Sequence, residues 1–439
     1  MITNKIRNFF SNSPAVRSTG ELLLGNLIAQ IILVVSAPIL TRLYAPEEYG
    51  VLGTYSALVM VLSVIATLRY ELAILLPQQD EEAEQLTIMA SALTVTMSLI
   101  IGVILWGIAV GVDPPWLRPL RPYIGLLTLS ILFYGLAQIF THRMMRRQQF
   151  RLQMHSSWVQ ALTYVMIQLG GGMLRAGTVG LLVGQLAGQV ASAVMLGRTL
   201  SYRRTGRRQL HELVHQYRHL PLYNMPTTLI YTLQTQLPIL LAASLYTAKE
   251  AGWLVLSLRV VGTPVQMLST SLGRVYLGRA AELVRQSPET FQTLVLRTLK
   301  KLSLIAVMFT LLLAAVAPTL FAWVFGNDWR PSGEYLQVLA PMLLVNILVF
   351  PLYHTLTVLN RSDLLLGVEV LRIALVFVSF WLPAILGQSL QVALWAYSAS
   401  YVLTQLLLMG LIIRASRKPE SRGYNKSAGN EHEGANGVC

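Results

Sequence analysis

The sequence predicts an all-α integral membrane protein with about twelve transmembrane helices. Of its 439 residues, 54% are hydrophobic and 12% are charged, whereas soluble domains carry about 25% charged residues. The apolar residues cluster in stretches of about 20, the length that a helix needs to cross a hydrocarbon core of about 30 Å. These observations exclude a soluble globular protein.

Twelve apolar segments define the predicted spans, and polar loops separate them. The first six spans are 20–41, 50–76, 86–110, 123–140, 158–174 and 178–197. The second six are 221–244, 252–275, 302–325, 336–359, 364–386 and 391–413. Residues 1–218 therefore form a predicted six-helix bundle with a basic cytoplasmic connector, residues 219–414 a second bundle, and the polar residues 415–439 a disordered cytoplasmic tail.

Loop charges place both termini in the cytoplasm. With the termini inside, the inner segments carry 25 Lys and Arg residues and the outer segments carry 6, the asymmetry that membrane proteins show. The net charge of +14 thus reports orientation, and nucleic acid is not a predicted partner. The only cysteine is Cys439, which excludes an internal disulfide and a multi-cysteine metal site.

A short internal repeat opens spans two and eight. Segments 44–50 (YAPEEYG) and 246–252 (YTAKEAG) each have Tyr, then Glu four residues later and Gly six residues later. They occupy equivalent places in two sets of six spans, so both halves share one orientation and are related by an axis along the membrane normal. Two pseudo-symmetric six-helix bundles that face each other are typical of a transporter.

Five charged residues lie at membrane depth, where a charge costs at least about 2.5 kcal/mol and therefore faces a cavity or a partner. Arg69 and Glu71 are two residues apart, so on a continuous helix they point to different faces and each needs another partner. Glu369 and Arg372 are three apart and can pair along one face. Span eight has no carboxylate near Arg259, which makes this residue a predicted lone cation.

The arginines make an anionic substrate the natural hypothesis, because a planar guanidinium binds phosphate or carboxylate through two parallel hydrogen bonds. Structural alternatives stay open for each arginine. Arg69 could snorkel to the inner headgroups, Arg259 could pair with a carboxylate such as Glu71, and Arg372 could serve as scaffold beside Glu369.

Uncharged polar side chains extend the candidate substrate site into spans one and seven. Asn26 and Gln30 are four residues apart and share one helix face, and Gln234 lies in span seven.

Gly180, Gly184 and Gly188 form a ridge of small residues on span six, which predicts close packing against a neighbouring helix.

Segment 211–215 (HELVH) matches the zinc-protease pattern of two His on one helix face with a Glu between them. It lies in the most basic inner loop, where Arg203, Arg204, Arg207 and Arg208 repel a dication, and no third acidic ligand is near in sequence. We therefore predict an amphipathic interfacial helix and no metal.

The chain also has no phosphate-binding loop of the GxxxxGK type. Transport would therefore draw its energy from an ion gradient or from the substrate gradient, and no cofactor is predicted.

Two stretches carry a resemblance to a known family, namely 38–50 (PILTRLYAPEEYG) and 68–77 (LRYELAILLP). In the second half, 221–223 (PLY), 236–238 (QLP) and Arg259 with Pro264 agree with it. The chain resembles the lipid-linked oligosaccharide flippases of the polysaccharide transport family, within the multidrug/oligosaccharidyl-lipid/polysaccharide (MOP) exporter superfamily. The resemblance implies two bundles around a central cavity lined by spans one, two, seven and eight.

The same resemblance implies a function and a set of roles. Such proteins move undecaprenyl-diphosphate-linked sugar repeats across the bacterial inner membrane for O-antigen, capsule or exopolysaccharide synthesis. Arg69 and Arg259 would then be cavity cations for the diphosphate or for acidic sugars, Glu71 would be a candidate for coupling transport to protons or sodium, and Arg42 would lie at the outer rim. Arg372 is a further candidate ligand. Implied partners are membrane lipids, the polysaccharide polymerase and the chain-length machinery.

Two other functions are alternatives to a flippase. A drug or lipid-precursor exporter of the same superfamily would share the fold. A membrane-embedded polysaccharide polymerase or ligase would also use cavity arginines, but polymerases usually need large outer loops, and the longest outer segments here are 111–122 and 326–335. The sequence therefore favours a transporter over an enzyme.

Overall fold

The computed structural model describes residues 14–114, 116–200, 213, 215–286, 288–353, 355–359 and 361–416. Every regular element in these ranges is a helix, and ten of the helices are long and apolar enough to cross a membrane. The predicted all-α membrane fold is confirmed. The predicted tail beyond residue 416 lies outside the described residues, as do His211 and Glu212 of the HELVH segment.

Within the described ranges, twelve long helices follow one another in the order of the predicted spans. The first six are α1 Pro14–Leu43, α2 Pro46–Thr67, α3 Asp80–Gly111, α4 Ile124–Arg146, α5 Phe150–Met173 and α6 Thr178–Gly197. The second six are α7 Met225–Leu245, α8 Ala248–Gln286, α9 Pro288–Phe325, α10 Arg330–Val349, α11 Ser362–Ile385 and α12 Leu390–Ser416. The ten apolar helices include all of these except α5 and α8, whose membrane crossing stays a prediction.

The first of two compact units comprises Met1–Leu256 and Phe321–Trp329. In it, α5 packs against α1 and α6, and α2 packs against α3, α4 and α7. The predicted glycine ridge on α6 faces α5, since a Cβ added to Gly184 would lie 2.5 Å from Cγ of Gln168. Small residues thus allow these two helices to approach closely, as predicted.

The second unit comprises Ser257–Leu320 and Arg330–Cys439. In it, α12 packs against α10 and α11. Its core includes Phe291 of α9, Leu356 of the short helix Thr355–Val358 and Leu408 of α12. The boundary between the units falls within α8 after Leu256, whereas the division into bundles at residues 218 and 219 stays a prediction.

A buried ion-pair network joins the start of α3 to the end of α4. The guanidinium of Arg143 is 1% exposed and donates to Oε1 of Glu84 at 2.8 Å. It also donates to the side-chain oxygen and the carbonyl of Thr199, at 2.7 Å and 2.8 Å. Arg147 reaches the same Glu84 oxygen at 2.6 Å, and Arg146 pairs with Asp80 at 2.9 Å. The acidic residues that open α3 are therefore partners for basic residues that end α4.

Replacing Arg143 with Met is expected to lower the free energy of unfolding by about 3 kcal/mol, because the hydrogen bonds of a buried guanidinium, one to Glu84 and two to Thr199, are lost. Glu84 keeps Arg147 as a partner. Arg147→Gln is the matched control. It removes a guanidinium that binds the same carboxylate oxygen but is 32% exposed, so we expect a loss below about 1 kcal/mol. Unfolding in detergent measures both, and equal losses would contradict the structural role given to Arg143.

Candidate functional site

Span two is not one continuous helix. Helix α2 ends at Thr67, Leu68 and Arg69 have φ values of 48° and 61°, and a 3-10 helix then runs over Tyr70–Leu75. The prediction of a helical span from 50 to 76 is therefore wrong at this point. Two consecutive non-glycine residues in the left-handed region cost roughly 1–2 kcal/mol each, so the surrounding contacts must hold the break in place.

The break brings Arg69 and Glu71 together. Nη1 of Arg69 lies 2.8 Å from Oε1 of Glu71. The prediction that these residues could not easily pair is wrong, because it assumed a continuous helix, on which residues two apart point in different directions. The Glu71 side chain is 2% exposed and that of Arg69 is 24% exposed, so the pair lies at the edge of the protein interior.

The pair is only half satisfied. Among the described residues, neither Nε of Arg69 nor Oε2 of Glu71 has a hydrogen-bond partner, although both atoms are buried. The phenol of Tyr134 on α4 lies within electrostatic reach of both charges, and its oxygen accepts a hydrogen bond from Gln138 at 3.1 Å. A buried N–H without an acceptor favours an anion, and a buried carboxylate oxygen without a donor favours a proton or a cation.

The other predicted ligands in the first unit differ in exposure. Asn26 on α1 is exposed, Gln30 is half-buried, and Arg42 near the end of α1 is exposed. Gln234 on α7 is 9% exposed, and its side-chain oxygen has no hydrogen-bond partner among the described residues. Because α7 packs against α2, Gln234 is a second buried polar group with unused hydrogen-bonding capacity in this unit.

The two remaining arginines lie in the second unit. Arg259 is exposed on α8 and takes part in an interaction, so its prediction as a lone cation is wrong. Nη1 of Arg372 lies 3.2 Å and 3.3 Å from the two oxygens of Glu369, which confirms that these residues pair. Nε of Arg372 also donates to Thr404 of α12 at 3.2 Å, and its guanidinium lies 5.1 Å from the Tyr401 ring centroid. These contacts join α11 to α12.

The two repeat segments meet at the first turns of α2 and α8. A Cβ on Gly50 would overlap the carbonyl oxygen of Ala248, and a Cβ on Gly252 would overlap the carbonyl oxygen of Pro46. Each contact joins the same two positions of the repeat, because 202 residues separate both Gly50 from Gly252 and Pro46 from Ala248. The repeat therefore generates a local two-fold contact, which we call the glycine crossing (46–50 and 248–252).

Equivalent glutamates cap the two helix starts that meet at the crossing. Oε2 of Glu48 accepts the N–H of Ala45 at 2.8 Å, and Oε2 of Glu250 accepts the N–H of Thr247 at 3.1 Å. Each carboxylate thus caps its own helix start. Lys249 approaches Glu47 across the crossing at 3.6 Å.

Two tryptophans attach the segment Phe321–Trp329 to the crossing, and sequence reasoning missed both. The indole of Trp329 is 1% exposed and donates to the carbonyl of Thr41 at 2.9 Å. Its ring packs edge-on against Tyr49 with centroids 4.9 Å apart. The indole of Trp253 donates to the carbonyl of Asp328 at 2.8 Å. Both contacts join residues far apart in the chain, so no local sequence pattern marks them.

Tyr44, the first residue of the first repeat segment, is buried, and burial favours its neutral form. The hydroxyl of Tyr44 donates to the carbonyl of Gln168 at 2.6 Å. Burial, with a smaller contribution from the Glu48 carboxylate, raises the pKa of Tyr44 to about 12. The phenol therefore keeps its proton, and this hydrogen bond, up to higher pH than an ordinary tyrosine with a pKa of 10.

The described part of the HELVH segment shows no geometry of a metal ligand. Nε2 of His215 lies 3.1 Å from Nη1 of Arg218, a cationic neighbour. Leu213 and Tyr217 join the hydrophobic core at the start of α3 and the end of α4. Tyr217 donates to Glu82 at 2.9 Å, and burial together with this carboxylate raises the pKa of Tyr217 to about 12.

Comparisons with known proteins agree with the helical architecture. A family model described as "Polysaccharide biosynthesis protein" matches residues 39–334. A comparison with curated protein sequences finds no match.

Solved structures with a similar fold cover nearly the whole chain. One is described as lipid II flippase MurJ in an inward closed conformation, with a TM-score of 0.66, 10% identity, and coverage of 90% of this chain and 89% of the other. Another is an inward-facing multidrug resistance MATE family transporter of the MOP superfamily, with a TM-score of 0.57, 11% identity, and coverage of 91% and 100%. The Vibrio cholerae MATE transporter VcmN has a TM-score of 0.51, 13% identity, and coverage of 92% and 96%. At these identities the likeness shows the fold.

The family match covers more than half of the chain and includes α2, the break in span two and the glycine crossing. The protein is therefore a member of the polysaccharide biosynthesis protein family, with the helical fold of MOP-superfamily transporters.

Proposed function

We propose that this protein is a flippase that moves undecaprenyl-diphosphate-linked oligosaccharide repeat units from the inner to the outer leaflet of the bacterial inner membrane. The half-satisfied Arg69–Glu71 pair, which directly follows the apolar helix α2, carries the proposal. An arginine with an unused N–H suits a phosphate oxygen. The family match and the fold shared with a lipid II flippase support a lipid-linked substrate.

The pair offers a mechanism for coupling substrate to an ion. A diphosphate that binds Arg69 would compete with the Glu71 carboxylate for the same guanidinium. Once released, Glu71 would be a buried carboxylate without a cation, and it would take up a proton or a sodium ion. Substrate and coupling ion would thus replace the internal ion pair together.

The remaining predicted ligands are assigned roles within the same proposal. Arg259 would be the second cation for the diphosphate, and Arg42 would lie at the outer rim. Asn26, Gln30 and Gln234 would bind sugar hydroxyls or phosphate. Arg372 is the weakest candidate, since Glu369 and Thr404 already bind its Nη1 and Nε and the Tyr401 ring lies beside it, which leaves only Nη2 without a hydrogen-bond partner among the described residues.

Transport would proceed by alternating access between two bundles, 1–218 and 219–414, each of six helices. On the predicted orientation the glycine crossing lies at the outer end of α2 and α8. It would close the path to the outer face and would have to separate before the headgroup leaves. The polyprenyl chain would stay in the lipid throughout.

A covalent link across the glycine crossing is expected to stop transport. Glu47→Cys with Lys249→Cys replaces the pair whose charged ends are 3.6 Å apart, and Cys439→Ser removes the native thiol. A short bifunctional thiol reagent should reduce export to the level of cells without the protein. Each single-cysteine variant, treated in the same way, is the control. Full export by the linked protein would contradict the role of the crossing in transport.

The proposal includes location and partners. The protein would lie in the bacterial inner membrane with both termini in the cytoplasm, which reporter fusions at the loops test. It would act without a cofactor and without catalysis, next to the polysaccharide polymerase and chain-length machinery that consume its product.

Complementation tests the function directly. Expression of the chain in flippase-deficient cells is expected to restore outer-leaflet exposure of lipid-linked repeats and glycan export. If the repeats already reach the outer leaflet without the protein but remain unpolymerised, the flippase proposal fails and the protein is assigned the role of a polymerase instead.

A drug exporter is the second candidate, because a multidrug resistance MATE transporter shares the fold. Under that function, expression would lower the sensitivity of cells to cationic drugs without restoring glycan export.

A further inference from the structure

A pocket of about 460 Å³ lies at the end of α3, and neither Arg69 nor Glu71 lines it. Trp106, Ala109 and Val110 of α3 line one side. Arg118, Arg121 and Pro122, in the 3-10 helix Arg118–Tyr123, line the other. On the predicted topology this is the outer interface between lipid and water.

The α3 side of the pocket is apolar and open. Trp106 is 62% exposed and Val110 is 54% exposed. Because α3 is one of the helices apolar enough to cross the membrane, such side chains face acyl chains. Tryptophan is also enriched at the level of the lipid headgroups, where its ring meets both hydrocarbon and water.

The other side of the pocket carries two guanidinium groups that share one carboxylate. Nε of Arg118 lies 3.1 Å and Nη1 of Arg121 lies 3.8 Å from the two oxygens of Asp113. Asp113 follows the end of α3 and has φ 45°. The three side chains leave a net charge of +1. The two arginine side chains are 62% and 52% exposed, so most of their ten N–H donors face solvent.

This combination matches an amphiphile with a single anionic headgroup. Guanidinium groups bind phosphate oxygens through parallel hydrogen bonds, and an acyl chain attached to that phosphate would lie along Trp106 and Val110. The outer segments carry only 6 of the Lys and Arg residues, yet two of them flank this pocket. The positive-inside rule does not explain these two arginines, because it predicts few Lys and Arg residues in outer loops.

We propose that this pocket binds the phosphate headgroup of an anionic phospholipid of the outer leaflet. The site is independent of the transported substrate. Its occupant would bring one lipid chain against α3 and connect α3 to the loop that begins α4.

Lipid binding to the purified full-length protein tests this proposal. The probes are phosphatidylglycerol and phosphatidylcholine with identical acyl chains, together with undecaprenyl phosphate, and bound lipid is counted by native mass spectrometry. Arg118→Gln with Arg121→Gln is expected to weaken phosphatidylglycerol binding about tenfold, because two charge-assisted contacts are lost. Arg175→Gln is the matched control, since it removes an exposed outer arginine that does not line the pocket.

Two further variants separate the headgroup contact from the chain contact. Asp113→Asn removes the carboxylate that competes with phosphate for both guanidiniums, so it should strengthen phosphatidylglycerol binding. Trp106→Ala should weaken both lipids equally. An unchanged thermal unfolding midpoint in lipid-free detergent would show that the variants stay folded.

Three outcomes would overturn the proposal. The first is equal binding of the two phospholipids by the native chain. The second is equal loss of binding in the Arg175→Gln control. The third is preferential binding of undecaprenyl phosphate at these arginines, which would assign the pocket to the polyprenyl lipid instead.

Discussion

Replacing Arg69 with Ala is expected to reduce the export of lipid-linked repeats about tenfold or more. The guanidinium is the only partner that the described residues offer to the Glu71 carboxylate, at 2.8 Å, and a charge-assisted hydrogen bond to substrate contributes about 1.5–3 kcal/mol. Export is measured in flippase-deficient cells at matched protein levels. Arg175→Ala, which removes an exposed arginine between α5 and α6, should leave export unchanged.

A loss of folding would mimic this result, because Arg69→Ala leaves a buried carboxylate unpaired, which costs about 3–5 kcal/mol. The double variant Arg69→Gln with Glu71→Gln avoids that cost, since both side chains become neutral and can hydrogen-bond to each other. We expect it to fold as stably as the native chain, within about 1 kcal/mol, and still to lose export. Normal export by the double variant would refute the assignment of Arg69 to the substrate.

Glu71→Gln by itself separates binding from coupling. An amide cannot take up a proton, but it still accepts a hydrogen bond from Arg69. In proteoliposomes we expect this variant to bind the lipid-linked substrate and to lose the acceleration that an imposed proton or sodium gradient gives the native protein. Unchanged acceleration would exclude Glu71 as the coupling group.

Replacing Gly252 with Ala is expected to lower the free energy of unfolding by about 3 kcal/mol, or to separate the two turns of the glycine crossing. The added Cβ would overlap the carbonyl oxygen of Pro46, a backbone atom that cannot rotate away. Thermal unfolding in detergent and modification of a cysteine at position 47 by a membrane-impermeant thiol reagent measure the two effects.

Gly262→Ala is the matched control on the same helix. A Cβ at Gly262 meets no atom within 4 Å among the described residues, so this change should be neutral or stabilise α8 by up to about 1 kcal/mol through helix propensity. If the two alanine variants behave alike, the close contact at Gly252 has no energetic role.

Local patterns in the sequence predicted much of this protein's helical fold and some of its side-chain contacts. Runs of about 20 apolar residues predict helices because a lipid-exposed backbone has to bond internally, and each predicted span overlaps one of the twelve long helices. Spans two and ten continue past the ends of α2 at Thr67 and of α10 at Val349. The pairing of Glu369 with Arg372 followed from a spacing of three on a regular helix. The glycine ridge on α6 followed from the same regularity.

The interactions that distinguish the candidate site depend on departures from that regularity. Nothing in the residue types Leu68 and Arg69 predicts two left-handed residues in a row, and this break alone brings Arg69 to Glu71. In the sequence, Arg143 was one of many basic residues assigned to the inner side of the membrane. In the structure its guanidinium is buried and donates hydrogen bonds to Glu84 and Thr199.

By itself, then, the sequence determined the helical membrane fold, the positions of the spans and the existence of a repeat, since each depends on periodicity within a short segment. Only the tertiary structure decided that the two copies of the repeat touch through Gly50 and Gly252, and that Trp329 packs beside them. Those contacts join residues about 200 or more positions apart in the chain. Their geometry is set by how whole helices pack, which no local pattern of residues encodes.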